Sequence, residues 1–432
     1  MRYTPISGQL FAKNRKKLAA KLKPNAIAIV HSNDNMPISA DATHPFVQHS
    51  DLYYLTGIDQ EESILVMYPD CRDNQVRSFK EILFIKETNK EIAIWEGKKL
   101  TKEEAEERSG IRTVIWTSHF KEVLKPLLFE AEHIYLNTNE NTRDIITVET
   151  RDDRFRKWCM EQFPLHNYQR LAPLMNQLRV VKEPEEVEAL KEAISITDKA
   201  FRRVLNFVKS GVWEYEIEAE IYHEFIRNRS RRMAYQPIVG SGFNACVLHY
   251  IDNENQCKDG DMLLMDFGAE YANYCADLSR TIPVNGRFTE RQKAVYNAVL
   301  RVQKAAVDLL VPGNNLIDLN REVGKLMESE LIGLGLLDTT DVKNQNPAQP
   351  LYKKYFMHGT SHHLGIDVHD YGKRYQVFEP GMVLTCEPGI YIREEALGIR
   401  LENDILITEE GPVDLMKNIP VEVEEIEELM HR

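Results

Sequence analysis

The sequence has few cysteines, no long apolar run and no excess of positive charge, and each absence excludes a class of protein. The six cysteines (Cys71, Cys159, Cys246, Cys257, Cys275 and Cys386) include no CxxC pair and no other short paired spacing, so neither a zinc ribbon nor a disulfide framework is suggested. No stretch approaches the roughly 20 apolar residues of a membrane span. The opening, Met1 to Leu22, alternates basic residues with short apolar stretches and lacks the continuous apolar core and small-residue cleavage site of a secretory signal. The expectation is a reducing, cytoplasmic location without membrane contact. A net charge of −13 removes nucleic acid from the candidate partners, because phosphate binding needs clustered Lys and Arg. Short-period repeats and low-complexity tracts are missing too, apart from the acidic end Val421 to Glu428, which reads as a solvated helix.

What is present is an ordinary globular composition, 43% hydrophobic and 28% charged, over 432 residues. That length exceeds a single core, so two domains are expected. Up to about residue 175, short strands (Ala26 to His31, Ser63 to Tyr68, Glu81 to Lys86) mix with charged helix such as Lys102 to Arg108, the pattern of an α/β domain. A boundary is expected near Arg179 to Pro184, where Pro184 followed by Glu185 and Glu186 starts a helix with acid in its first turn. Val187, Leu190, Ile194, Phe201, Leu205 and Val208 then recur at helical spacing. Strand-like segments follow at Ala234 to Val239, Val247 to Tyr250, Asp261 to Phe267 and Cys275 to Ile282. A helix from Thr289 to about Leu310 ends at Pro312 and Gly313, and strands return from Met382 to Ile407. Helices segregated from an antiparallel sheet predict α+β for this half.

Five residues able to hold metal lie in the second half in the order Asp266, Asp277, His362, Glu387 and Glu402. Asp266 interrupts the apolar run Met262 to Met265, and Glu402 sits in Ile399 to Ile407, which reads as one strand. A carboxylate inside a buried strand needs a partner, and a metal ion is a good one. Gly268 to Tyr274 can reverse the chain, so a hairpin would bring Asp266 and Asp277 together from adjacent strands. Two carboxylates that close raise each other's pKa, whereas a shared cation keeps both ionised.

The segments Leu264 to Tyr271, Ala276 to Thr281, His358 to Asp370, Glu387 to Tyr391 and Ile399 to Glu402 resemble the signature blocks of the M24 metallopeptidases, and within them the aminopeptidase P group. Gln48 to Asp51 followed by Tyr53 to Gly57 is similar to that group's N-terminal domain. The resemblance implies an N-terminal α/β domain over 1–175 and a catalytic pita-bread domain over 176–432, a curved antiparallel sheet backed by helices. It implies that Asp266 binds one divalent ion, His362 and Glu387 a second, and Asp277 and Glu402 both. The oxygen-rich set favours Mn²⁺. The implied activity is hydrolysis of the N-terminal Xaa-Pro bond of peptides by a metal-bridging hydroxide, with Glu387 as proton acceptor.

By the same resemblance His249 and His369 contact the reacting amide and stabilise the tetrahedral intermediate, and His358 lies near the proline pocket. Arg400, two residues before Glu402, faces the same side of a strand and orients a bridging carboxylate or the substrate. Tyr391 is a pocket wall or oxyanion donor. His363 and Cys386 are assigned no chemistry. Trp95 resembles the position at which, in several relatives, an aromatic from a neighbouring subunit closes the site, which implies a homo-oligomer, dimer or tetramer. The alternatives are a prolidase, which accepts only Xaa-Pro dipeptides, and a catalytically inactive pita-bread binding module, which typically loses ligands that this chain keeps.

Overall fold

The computed structural model describes residues 3–71, 79–140 and 147–431. They divide into two compact units, Thr4–Arg179 in one and Val180–Arg432 with the extreme N-terminus in the other.

In the first unit the apolar runs become a mixed six-stranded sheet in the order Val114–Trp116, Glu81–Ile85, Ile64–Met67, Ala26–His31, His133–Leu136, Asn167–Arg170. Ala26–His31 lies fully buried at its centre, antiparallel to Ile64–Met67 and parallel to His133–Leu136. Burial on both faces is why its sequence reads as a continuous apolar run. The helix Ser50–Thr56 ends at Gly57, with φ +65°. A Cβ there would come within 2.1 Å of the Phe11 ring, so both the left-handed turn and the close packing require glycine.

The second unit opens with the helix Pro184–Phe207, started by Pro184 and a reciprocal cap between Glu183 and Glu186. Val187, Leu190, Ile194, Phe201 and Leu205 all bury, as their spacing predicts. The sheets are small and antiparallel. One has the order Leu278–Pro283, Met262–Phe267, Ile238–Ser241; a second has Val383–Cys386, Asn403–Thr408, Gly411–Asp414; a third pairs Gly389–Ile392 with Leu397–Arg400. Their inner faces pack on the helices Pro184–Phe207, Glu290–Val307 and Leu316–Gly333 through residues such as Phe201, Met265, Val299, Val323, Leu384 and Ile405. Each buried Leu or Ile contributes about 1.5–3 kcal/mol. The α+β expectation for this half is therefore met.

Several boundaries differ from the sequence reading. Val247 to Tyr250 is not a strand: after the short 3₁₀ turn Gly242–Cys246 the chain runs irregularly and pairs with no neighbouring strand. The strand expected from Ala234 falls at Ile238–Ser241. Ile399 to Ile407 is two strands broken at Leu401 and Glu402, because Leu397–Arg400 and Asn403–Thr408 pair with different neighbours. Cys275 to Ile282 likewise splits into the ribbon residues Tyr274–Cys275 and the strand Leu278–Pro283. The acidic terminal helix, Val423–Met430, is amphipathic and not solvated all round, since Val423 and Ile426 enter the core.

Candidate metal centre

Asp277, Glu387 and Glu402 sit where strands begin, end or break. Asp266 belongs to the strand Met262–Phe267, paired with Ser279 across the sheet. Asp277 immediately precedes the partner strand. Gly268 turns the chain between them at a point where a Cβ would meet the Ala276 carbonyl oxygen at 1.7 Å, so only glycine permits this approach. Glu402 occupies the link between two strands, and its N–H donates to the Ser279 carbonyl at 3.1 Å. The link is fixed by Arg280, which is fully buried and donates to the carbonyls of Ser279 (2.9 Å), Glu402 (2.8 Å) and Pro420 (2.9 Å) and to Asn403 Oδ1 (2.8 Å). His362 and Glu387 meet because residues 360–364 lie along the strand Val383–Cys386. Glu387 N–H donates to Thr360 O at 2.8 Å, Thr385 N–H to His362 O at 2.9 Å, and Leu364 N–H to Val383 O at 3.0 Å.

These constraints gather one ligand atom each from Asp277, His362 and Glu402 within 4.8 Å of one another. His362 Nε2 lies 3.4 Å from Asp277 Oδ2 and 3.8 Å from Glu387 Oε1. Its Nδ1 faces the His363 carbonyl at 3.0 Å, and an Nδ1–H donated there leaves Nε2 with a lone pair directed at the carboxylates. The Tyr235 hydroxyl sits 2.5 Å from both Asp266 Oδ1 and Asp277 Oδ1, so one proton serves two acceptors. Ser279 Oγ donates to Glu402 Oε2 at 2.7 Å, and the Asp277 N–H donates to the buried Asp404 Oδ2 at 3.2 Å.

Burial is the first cause of the electrostatic stress in this cluster. It pushes the Glu387 carboxyl up to about 7, with His362 and Arg400 opposing. Burial followed by the charges of Asp277, Glu387 and Asp266 drives Glu402 well above the carboxylate range. Asp266 is raised by burial and by Asp277 against the pull of Arg400. Burial alone would lower the His362 imidazolium, but Asp277 and Glu387 reverse that and raise it. Crowded carboxylates with the His362 imidazole turned toward them fit divalent metal, which would relieve this repulsion.

Beside the cluster runs a second chain of hydrogen bonds. Arg400 Nη2 contacts Asp266 Oδ2 at 2.5 Å, its Nε donates to Ser279 Oγ at 2.8 Å, and its Nη1 donates to the Tyr391 hydroxyl at 3.0 Å. The Tyr391 hydroxyl is 2.8 Å from His358 Nε2, while His358 Nδ1 faces the Gly359 carbonyl at 2.8 Å. With Nδ1–H given to that carbonyl, Nε2 accepts from Tyr391. Burial, then the Arg400 charge, pulls His358 down to about 3. The exposed His369 sets its ring edge-on against His362, centroids 4.5 Å apart, and the exposed His249 bears electrostatically on His358. Cys386 points the other way, its Sγ toward the Gln303 carbonyl. Trp95 lies on the helix Lys90–Glu96 of the other unit and is 89% exposed.

Tyr235, Ser279, Arg280 and Asp404 were not marked by the sequence reading. Ser279 and Arg280 follow Asp277 within the same block, and Ser279 shares the strand-face period of that residue. Nothing in the sequence around Tyr235 distinguishes it from a core aromatic.

The profile of metallopeptidase family M24 matches residues 188–409, and that of the aminopeptidase P N-terminal domain matches 11–135. Xaa-Pro aminopeptidase of Escherichia coli K12 is 36% identical over 441 residues, covering 98% of each chain. Xaa-Pro aminopeptidase of Haemophilus influenzae is 33% identical, covering 98% of this chain and 97% of its own. The solved structure of zinc-substituted E. coli aminopeptidase P in complex with product superposes with a TM-score of 0.89 at 34% identity, covering 99% of both chains. The second unit therefore has the pita-bread fold and the first the N-terminal domain expected from the motifs. The chain belongs to metallopeptidase family M24, in the group that carries the aminopeptidase P N-terminal domain.

Proposed function

We propose that the chain is a dinuclear Mn²⁺ aminopeptidase that removes the first residue from peptides with proline at the second position. The observation that carries this reading is the convergence of Asp277, His362 and Glu402, with Asp266 and Glu387 beside them, on one buried point charged beyond what the surrounding cations compensate. Asp266 would hold one ion, His362 and Glu387 the other, and Asp277 and Glu402 both. Such ions supply Lewis acidity that ionises a water at neutral pH and polarises a carbonyl, and the hard, oxygen-rich donors favour Mn²⁺.

The remaining work falls to the chain's own side chains. Glu387 takes the proton of the attacking water on a carboxylate oxygen and returns it to the leaving proline nitrogen, which has no hydrogen of its own. His249 and His369 donate to the oxyanion of the tetrahedral intermediate. Arg400 holds the Tyr391 hydroxyl, which in turn orders His358 at the wall of the proline pocket. The cysteines are all free and buried, and no described helix is long and apolar enough to cross a membrane. A reducing cytoplasm, which keeps thiols free, is the compartment we assign. The exposed Ile94 and Trp95 support a homo-oligomer, dimer or tetramer, with Trp95 at a neighbouring subunit's site.

The test is metal analysis with mutation. Purified protein should carry about two Mn²⁺ per chain after reconstitution, and Asp277→Ala or Glu402→Ala should lose both metal and turnover of an Xaa-Pro peptide. Turnover retained by either variant would remove the bridging assignment.

A further inference from the structure

Glu214, at the start of the helix Glu214–Arg227, is fully buried and makes no ion pair among the described residues. Its carboxylate is satisfied by four donors. Ser241 N–H and Ser241 Oγ reach Oε1, both at 2.7 Å, and the Tyr250 hydroxyl and Asn255 N–H reach Oε2 at 2.8 and 2.9 Å. Tyr250 Oη also accepts from the Glu254 N–H at 3.2 Å. One turn along the helix, Glu218 accepts from Asn253 Nδ2 at 2.8 Å, and Asn253 Oδ1 accepts from Val239 N–H at 2.9 Å with φ +49°. Two donors come from Ser241 and one from Asn255, the two ends of segment 241–255, and the fourth is Tyr250, the residue next to His249.

We infer that Glu214 is a positioning residue for His249: its carboxylate ties both ends of the 241–255 segment to one helix end and so fixes where the His249 imidazole stands. This rests on the reading that His249 faces the reacting amide. Segment 247–250 has no strand ladder of its own; Val247 N–H closes the preceding turn on Asn244 O at 3.0 Å, and Glu214 is the acceptor that Ser241 and Asn255, the two ends of 241–255, share. Only a carboxylate can do this, since it presents two oxygens that accept and none that donates. Glutamine would keep the Ser241 contacts on its oxygen but set an N–H₂ against the Asn255 N–H and force the Tyr250 hydroxyl to accept instead of donate.

The test is a double-mutant cycle on an Xaa-Pro-Yaa tripeptide with the Mn²⁺-loaded full chain. Glu214→Gln and Tyr250→Phe should each lower kcat about tenfold to a hundredfold with KM within about twofold, leave bound Mn²⁺ unchanged, and cause no further loss in a His249→Ala background. Tyr250→Phe removes one hydroxyl and keeps the test valid if Glu214→Gln fails to fold. Equal losses with and without His249, no loss with His249 present, or loss of Mn²⁺ alongside activity would each overturn the inference. A wild-type chain without turnover of any Xaa-Pro peptide would overturn the functional reading and this inference with it; an active wild type with additive losses overturns only the role of Glu214.

Discussion

Arg400 Nη2 lies 2.5 Å from Asp266 Oδ2, while the same guanidinium donates through Nη1 to the Tyr391 hydroxyl at 3.0 Å and through Nε to Ser279 Oγ at 2.8 Å. One planar cation thus joins a carboxylate of the metal cluster to the Tyr391 and His358 pair. Lysine has the charge but not the fork, and can satisfy one of the three acceptors well. Arg400→Lys should therefore lower kcat/KM by about a hundredfold with secondary structure retained. Steady-state kinetics beside circular dichroism reads both, and near-normal kinetics would show that the fork is dispensable.

The carboxylate crowding predicts that metal binding stabilises the fold. Mn²⁺ at about a hundred times its dissociation constant should add about 2.7 kcal/mol for each ion bound and raise the thermal midpoint of the wild type. Asp277→Ala should show no such rise, since it removes a carboxylate within 4.8 Å of His362 and Glu402 ligand atoms. Calorimetry with and without Mn²⁺ measures it.

Tyr235 lies between Asp266 and Asp277 and orients both Oδ1 atoms. Tyr235→Phe keeps the ring and deletes that contact, so Mn²⁺ affinity should fall about tenfold to a hundredfold with the fold intact. Direct titration of the chelated protein is the measurement; unchanged affinity would mean that the metals alone fix the two aspartates.

Away from the metal cluster, Glu186 predicts a pH dependence of stability. Burial pushes its carboxyl up to about 7, against the Glu183 N–H, Lys182 and the Tyr274 hydroxyl, with Asp370 adding to the rise. The unfolded value is about 4.3. Between these two the folded state holds a proton that the unfolded chain has released, so stability falls as pH rises. The contribution is complete below the unfolded value, is lost through about pH 7, and amounts to about 4 kcal/mol. Glu186→Gln should flatten this decline in urea unfolding between pH 5 and 8; an unchanged slope would assign the decline to other groups.

The parts of the fold that the sequence reveals are those set by local pattern. Ala26–His31 and Met262–Phe267 are dense apolar runs, and Pro184–Phe207 carries its own cap and helical stripe. Five acidic and imidazole positions stand out in the sequence by their order and blocks, and the structure brings three of them to one point with Asp266 and Glu387 adjoining. What was not legible depends on partners far along the chain. The break at Leu401 and Glu402 exists because Arg280 and Ser279, over a hundred residues earlier, take hold of the link. Val247 to Tyr250 carries the apolar content of a strand, but Glu214 claims the Tyr250 hydroxyl and the flanking Ser241 and Asn255 instead. Tyr235 gains its place from two carboxylates that only folding brings together.

The measurement that tests the central claim most directly is release of the N-terminal residue from an Xaa-Pro-Yaa tripeptide and, in parallel, from an Xaa-Pro dipeptide, by the chelated protein before and after addition of Mn²⁺. Metal-restored cleavage of the tripeptide is the predicted result. Cleavage of the dipeptide alone would make the chain a prolidase, and no cleavage of either after Mn²⁺ loading would contradict the account.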